Sequence, residues 1–357
     1  MCNLCRQIDS SRVDAFGDRL IDMLNQSGLS LMVSLGHRTG LFETMAKLPP
    51  ANSETLATAA DLNERYVREW LGAMTVGRIV DHDAATGTYH LPAEHAAMLT
   101  RDGAANLAGT MQFIPVLGQV EDQVLQCFKQ GGGVPYSEYS RFHEVMAEDS
   151  GQTVVASLFD QILPIVPGMI ERLEAGIDVL DLGCGRGRAL ATMAHRYPNS
   201  RFTGVDLSAE VIAWATEQAR ADGLANLTFV EADAASVDFH EAFDLVTTFD
   251  AIHDQARPDV VLANIRRALR PDGFYLMQDI RSSSTHAGDL DHPIGSFLYT
   301  VSTMHCMTVS LAAGGMGLGT MWGEKVARRM LDEAGFSNVK IHQLDHDFQN
   351  NYYVMQP

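Results

Sequence analysis

The chain is predicted to be an α/β protein, with an open and mostly parallel β-sheet wrapped by helices in the C-terminal half, behind a mostly helical N-terminal half. Three features predict it. From Ile177 onward, short apolar runs alternate with stretches of helical periodicity, the rhythm of a doubly wound sheet. Before that point apolar residues recur mainly at helical spacing. The first apolar run of the C-terminal half ends in a glycine-rich turn that leads directly into a helical pattern.

Composition sets the bounds. A chain of 357 residues suits about two domains of roughly 150 residues each. Hydrophobic residues make up 46% and charged residues 20%, which supplies apolar material for a sizeable core. The formal net charge of −19 opposes phosphate binding, so nucleic acid is not an expected partner. Five cysteines without framework spacing read as reduced thiols. Cys2 and Cys5 form a C-x-x-C, but no second pair or nearby His completes a zinc site, and no metal is expected. Asp9, Arg12, Asp14, Asp18 and Arg19 interrupt any apolar leader. The uncharged run 293–323 carries six Gly, seven Ser or Thr and His305, too polar to cross a membrane, and reads as a buried loop region. The expectation is a cytoplasmic protein with no membrane segment.

Taken in order, residues 1–27 form a helical arm. Apolar residues then recur at helical spacing over 29–48 until Pro49 and Pro50 stop the helix. Asn52 or Ser53 can cap the next helix, 53–60. Asp61-Leu62-Asn63 makes a turn, and the helix after it carries Tyr66, Val67, Trp70, Leu71 and Met74 on one stripe until Gly77 ends it. Residues 79–82 and 88–91 flank Ala85-Thr86-Gly87 as a two-stranded wing. The segment 28–100 therefore reads as a winged helix. Its five basic residues face eight acidic ones, and Glu64 and Glu69 neutralise Arg65 and Arg68, so it reads as a dimerisation module more than as a groove binder. Residues 101–174 follow as a helical connector, broken at Gly131-Gly132-Gly133, capped around Asp149 and Ser150, and bent by Pro164 and Pro167.

In the domain 175–357, strands are predicted at 179–182, 202–205, 227–230, 245–248 and 274–278. Helices fall at 188–197, 209–222, 258–269 and 323–334, and 339–342 with 352–355 can pair as an antiparallel hairpin at the sheet edge.

The ends of these strands carry the chemistry. The first runs into Asp181-Leu182-Gly183-Cys184-Gly185-Arg186-Gly187, and glycines at such a turn let a ligand approach the backbone. A dinucleotide turn would need glycine where Arg188 stands, which weakens a nicotinamide-dependent oxidoreductase reading. Asp181 would repel a pyrophosphate but suits a ligand bearing an ammonium group, and S-adenosylmethionine is such a ligand. The second strand ends in Asp206, about 19 residues beyond the turn, where a carboxylate can accept hydrogen bonds from both ribose hydroxyls. The third ends in Glu231-Ala232-Asp233-Ala234, where the acid can accept from an adenine amino group and the next backbone N–H can donate to the ring.

Through VLDLGCGRG, GVDLS, EADA and FDLVTTFDAIHD, residues 177–280 resemble the class I S-adenosylmethionine-dependent methyltransferases. The resemblance implies a Rossmann-like seven-stranded sheet, parallel except for a C-terminal hairpin strand. It implies that Asp181, Gly183, Cys184, Gly185 and Gly187 hold the methionine moiety, Asp206 and Leu207 the ribose, and Asp233 and Ala234 the adenine, while Phe249 and Asp250 line the methyl donor. The whole chain is similar to a mycobacterial and actinobacterial group of such enzymes, and to small-molecule O-methyltransferases that dimerise through the N-terminal domain. In these a His after the fourth strand is the base, which here is His253 of His253-Asp254-Gln255. The implied activity is methyl transfer to oxygen of a small, apolar or aromatic acceptor, leaving S-adenosylhomocysteine. Tyr139, Phe142 and His143 of the connector, with Trp322, are assigned to the acceptor pocket, and the Met-rich insert 281–322 to an adaptable lid. Two alternatives stand beside this: a DNA-binding regulator whose methyltransferase fold senses a metabolite, and a His253 that only caps the next helix.

Overall fold

The computed structural model describes residues 8–103 and 105–357, which places the Cys2–Cys5 motif outside the described residues. The chain divides into two compact units, Met1–Pro115 and Val116–Pro357.

In the first unit the arm and the helix after it are one helix, Ser10–Thr39, started by Asp9, whose carboxylate accepts from Ser11 N at 3.0 Å. The predicted helix 29–48 is interrupted at Gly40, whose left-handed φ of 71° closes the first helix and opens a second, Leu41–Lys47. Helix Ser53–Ala60 is capped by Asn52 as expected. Helix Glu64–Val76 buries Val67, Trp70, Leu71 and Met74. Tyr66 departs from the predicted stripe and is 80% exposed, because it precedes Val67 by one residue and so lies about 100° around the helix. Strands β1 (Asp81–Asp83) and β2 (Thr88–His90) form the antiparallel wing. On Glu64–Val76, Arg65 pairs with Glu69 and Arg68 with Glu64 at 3.3 Å. The helix that would read DNA thus has its cations matched one turn away, and the regulator reading gains no support.

In the second unit Asp149 and Ser150 do not cap a helix but lie inside one, Phe142–Thr153. The Ser150 hydroxyl donates back to Met146 O at 2.7 Å, which satisfies it within the helix. Beyond it the chain bends by 108° between 142–165 and Met169–Ala175, the stretch that holds Pro164 and Pro167.

Seven strands follow: β3 (Asp178–Leu182), β4 (Arg201–Asp206), β5 (Leu227–Glu231), β6 (Phe243–Phe249), β7 (Leu269–Ile280), β8 (Ser337–Leu344) and β9 (Asp347–Gln356). Their order is β5-β4-β3-β6-β7-β9-β8, parallel through β7, with β9 inserted antiparallel between β7 and β8. Both faces are covered, so strand residues are apolar on consecutive positions. Leu180, Val246 and Met277 pack under helices Pro258–Ala268 and Gly323–Glu333. Val179, Leu245 and Leu276 pack on the other face, under helix Arg188–Arg196 and the end of the connector. The strand order reverses on either side of β3, and the carboxyl ends at such a switch point open a crevice.

The run 293–323 is partly buried and only partly loop: helices Gly295–Val301 and Met307–Ala312 are joined by a π-turn, Ser302–Cys306, while 313–322 is the loop expected. Its hydroxyls do not break the helix, since Thr300 and Thr303 donate back to Ser296 O and Tyr299 O at 2.9 Å. Among the described residues no single helix is long and apolar enough to cross a membrane.

Candidate active site

At the switch point the turn after β3 has Gly183, Gly185 and Gly187 at φ of 73°, 52° and 65°, a left-handed path that glycine follows without steric cost. Gly183 N and Cys184 N donate to Val205 O at 2.8 and 3.1 Å, which ties the turn to β4. A Cβ at Gly187 would lie 2.3 Å from the Phe229 ring, and one at Gly183 would lie 2.6 Å from Ala251 Cβ. Those two glycines serve packing. A Cβ at Gly185 would meet nothing within 4 Å, so this side of the turn is open.

Carboxylates surround it. Asp181 is buried and accepts from the Thr247 hydroxyl at 2.8 Å; burial pushes its acid up to about 7. Asp206, half-buried, accepts from Gly185 N and Ser208 N at 2.9 Å each, one on each oxygen. A carboxylate offers about four acceptor sites, so two remain. Asp233 is exposed and caps its own turn through Ala235 N at 2.8 Å, with Ala234 buried behind it. Leu207 is exposed, and Phe249 packs against the core. Burial, with Asp181 and Asp206 nearby, holds the Cys184 thiol well above its ordinary range.

The loop after β6 starts at Asp250, with a left-handed φ of 49° and one carboxylate oxygen held by Gln278 Nε2 at 3.0 Å. Its other oxygen is buried without a partner, and burial together with Asp279 raises its acid well above the usual range. Three residues on, His253 is 3% exposed. The next helix begins at Pro258 with Arg257 at its N-cap position, so it is not capped by His253. The acid that orients it is Asp279, the penultimate residue of β7, which accepts from His253 Nδ1 at 2.7 Å. Asp254 stands 3.3 Å from Nε2, and its Oδ1 has no aligned hydrogen bond, so the His253–Asp254 pair is the weaker one. Burial alone would lower the His253 pKa; Asp279 and Asp254 outweigh it and hold it well above 6.5.

Trp322 belongs to this support: its indole N–H donates to Asp279 Oδ1 at 2.9 Å, and its ring is buried. Asp279, like Gln278, stands at a strand end, so the rule that found Asp206 could have found it. His253, Asp254 and Cys306 bring donor atoms within 4.8 Å of one another, as do Asp250, His253 and Asp279.

Behind Asp254 lies an aromatic cluster from the connector and the insert. Phe142 stacks on His305 at 3.4 Å, and Tyr136 and Tyr139 meet its edges at 4.7 Å. The Tyr139 hydroxyl is committed to Met304 O. His143 stacks on Tyr136 at 5.0 Å, and Asp206, Glu210 and Arg186 act on it, which places it beside the glycine turn. In the insert a cavity of about 400 Å³ is lined by Ser284, Thr285, Ser302 and Thr303 as well as Met307 and Met321, more polar than a Met lid.

Residues 173–310 match the methyltransferase domain family, and residues 27–101 match the Rv2258c-like winged HTH domain. The chain carries a methyltransferase domain. The fatty-acid O-methyltransferase of Mycolicibacterium smegmatis is 35% identical over 107 residues, which is 30% of this chain and 38% of that protein. The chain thus spans under half the length of this curated relative. The methyltransferase domain with its N-terminal half shares the fold of solved enzymes. Human N-acetylserotonin methyltransferase, in complex with S-adenosylmethionine, is 17% identical at a TM-score of 0.68, covering 99% of each chain. Mitomycin 7-O-methyltransferase MmcR is also 17% identical at 0.68, covering 98% of this chain and 100% of that one.

Proposed function

We propose that the protein is an S-adenosylmethionine-dependent methyltransferase that methylates a hydroxyl of a small, apolar or aromatic acceptor, with His253 as base. The observation that carries this reading is the contact of the glycine turn with the base loop, where Gly183 abuts Ala251, two residues from the buried His253–Asp279 pair.

The residues fit the donor. Open space at Gly185 leaves room for a ligand, the two spare acceptor sites of Asp206 suit a ribose diol, and Asp181 and Asp250, whose acids burial raises, would ionise against its cationic groups. When bound, the donor supplies an electrophilic methyl group for in-line displacement. The protein then has to hold an acceptor oxygen on that line, keep water out and take the hydroxyl proton at His253 Nε2, while Asp279 fixes the tautomer through Nδ1. The names of the similar enzymes support transfer to oxygen. A methyl-transfer screen of metabolite extract with labelled donor tests the activity, and failure of S-adenosylhomocysteine to bind would sink it. Asp206→Ala is expected to weaken that binding by about 1.5–3 kcal/mol, the loss of charge-assisted hydrogen bonds, read by calorimetry.

A homodimer through the N-terminal unit belongs to the same reading. Helix Ser10–Thr39 exposes Val13, Phe16, Leu20, Ile21, Met23 and Leu24, an apolar stripe that an isolated unit leaves in water. Light scattering is expected to give a dimer for the full chain and a monomer for a Phe16→Glu, Leu20→Glu double variant. A monomeric wild type at micromolar concentration would defeat the claim.

A further inference from the structure

We infer that His253, Asp254 and Cys306 form a site for a zinc-class divalent ion, and that an ion bound there takes the lone pair of the base and silences methyl transfer. The site stands on its own geometry, while its effect on the reaction rests on the proposed role of His253.

One donor atom from each of the three residues lies within 4.8 Å of the other two. His253 Nε2 and Asp254 Oδ1 stand 3.3 Å apart, and that oxygen has no aligned hydrogen bond. The spacing matches one edge of a four-coordinate zinc site, where bonds of about 2.0–2.3 Å put donor atoms about 3.3–3.6 Å apart. The tautomer is set from behind. Nδ1 bonds to Asp279 at 2.7 Å, which leaves the lone pair on Nε2 and gives the carboxylate–histidine arrangement that orients ligating imidazoles. The overlapping trio Asp250, His253 and Asp279 fails on this point, because Asp279 Oδ1 and His253 Nδ1 already bond to each other. Cys306 is 4% exposed and closes the π-turn Ser302–Cys306, a local widening of the helix that re-aims side chains and recurs at functional sites. An imidazole, a thiolate and one carboxylate select zinc over magnesium or calcium, which take oxygen ligands. Charge agrees, since the thiolate and the carboxylate together balance a divalent ion in a buried place. Burial, with Asp254 beside it, pushes the Cys306 thiol up to about 12, so the ion displaces that proton to water as the sulfur–metal bond forms. A second observation points to the same place. His305 is fully buried with both ring nitrogens unpartnered, and its Nδ1 lies 3.8 Å from the other Asp254 oxygen. Such an imidazole is costly to leave unpaired, and a water in the ion's fourth position supplies the missing partner. With Nε2 on the ion, no lone pair remains for a hydroxyl proton.

The test titrates the full chain with cobalt(II), a spectroscopic stand-in for zinc, and then with zinc. All variants carry Cys2→Ser and Cys5→Ser, so that the C-x-x-C contributes no thiolate. The parent is expected to give the visible bands of four-coordinate cobalt and one sulfur-to-cobalt charge-transfer band, both removed by zinc. Cys306→Ala should lose the charge-transfer band and bind zinc more weakly. Asp279→Asn should keep the band with an affinity about 10–100-fold lower, the usual cost of losing the group behind a ligating imidazole. Cooperative melting shows that each variant is folded. No charge-transfer band in the parent, or the same band in Cys306→Ala, overturns the inference. On the acceptor found with labelled donor, zinc should stop methyl transfer in the parent and spare it in Cys306→Ala; equal inhibition of both would overturn the effect on the base. Failure of the methyltransferase reading shows separately, as no binding of S-adenosylhomocysteine beside an intact cobalt spectrum.

Discussion

His253→Ala is expected to lower turnover by about 10² or more while S-adenosylhomocysteine affinity stays nearly unchanged, because the lost interaction belongs to the transition state. The ring is buried, tied to Asp279 at 2.7 Å and set one loop away from the glycine turn, so its deletion removes the proton acceptor without touching the donor's contacts. The pH profile carries the second half of the test. Only neutral imidazole can take the acceptor's proton, and Asp279 and Asp254 hold the His253 pKa well above 6.5 against the effect of burial. Activity should therefore rise with pH along a limb centred above 6.5. Asp279→Asn removes the charge that raises it and should move that limb down toward 6.5 as well as slowing turnover, since the neutral amide orients the ring less firmly. Wild-type turnover in His253→Ala would leave catalysis to positioning alone.

Gly185→Val and Gly187→Val should separate the two jobs of the glycine turn. At Gly185 an added Cβ meets nothing within 4 Å, so the folded state is expected to survive with about 1–3 kcal/mol of backbone strain at its left-handed φ. The added volume stands in the open side of the turn, and donor binding should fall more than about 100-fold, beyond what the strain explains. At Gly187 the new Cβ would lie 2.3 Å from the Phe229 ring. That ring packs in the core on one face of the sheet, so this variant should lose folded protein, seen as absent cooperative melting. Donor affinity preserved in Gly185→Val would remove the turn from the site.

The predicted strands and helices of the sheet domain lie within a few residues of the observed ones, because each alternates short apolar runs with helical periodicity. The wing and the cap at Asn52 were legible for the same local reason. The misses also have local causes. Gly40 splits the helix predicted over 29–48 by adopting a left-handed φ of 71°. The polar residues of the insert do not prevent helix because their hydroxyls bond to the preceding turn. Asp149 and Ser150 look like a cap in sequence, but only the packed connector decides that the helix continues past them.

What the sequence by itself determined was the doubly wound sheet, the glycine turn and the acids Asp181 and Asp206 beside it, since strand ends and turn glycines are set by residue type and spacing along one stretch of chain. What only the tertiary structure decided was the partner of each buried group. Asp279 stands 26 residues from His253, and Trp322 another 43 beyond Asp279, yet the three form one hydrogen-bonded set. His305 meets Phe142 from a distant part of the chain. Which acid orients the base, and which imidazole is left with unpaired nitrogens, depends on how β6, β7 and the insert pack at the sheet's carboxyl end, and no periodicity within a single segment encodes that meeting.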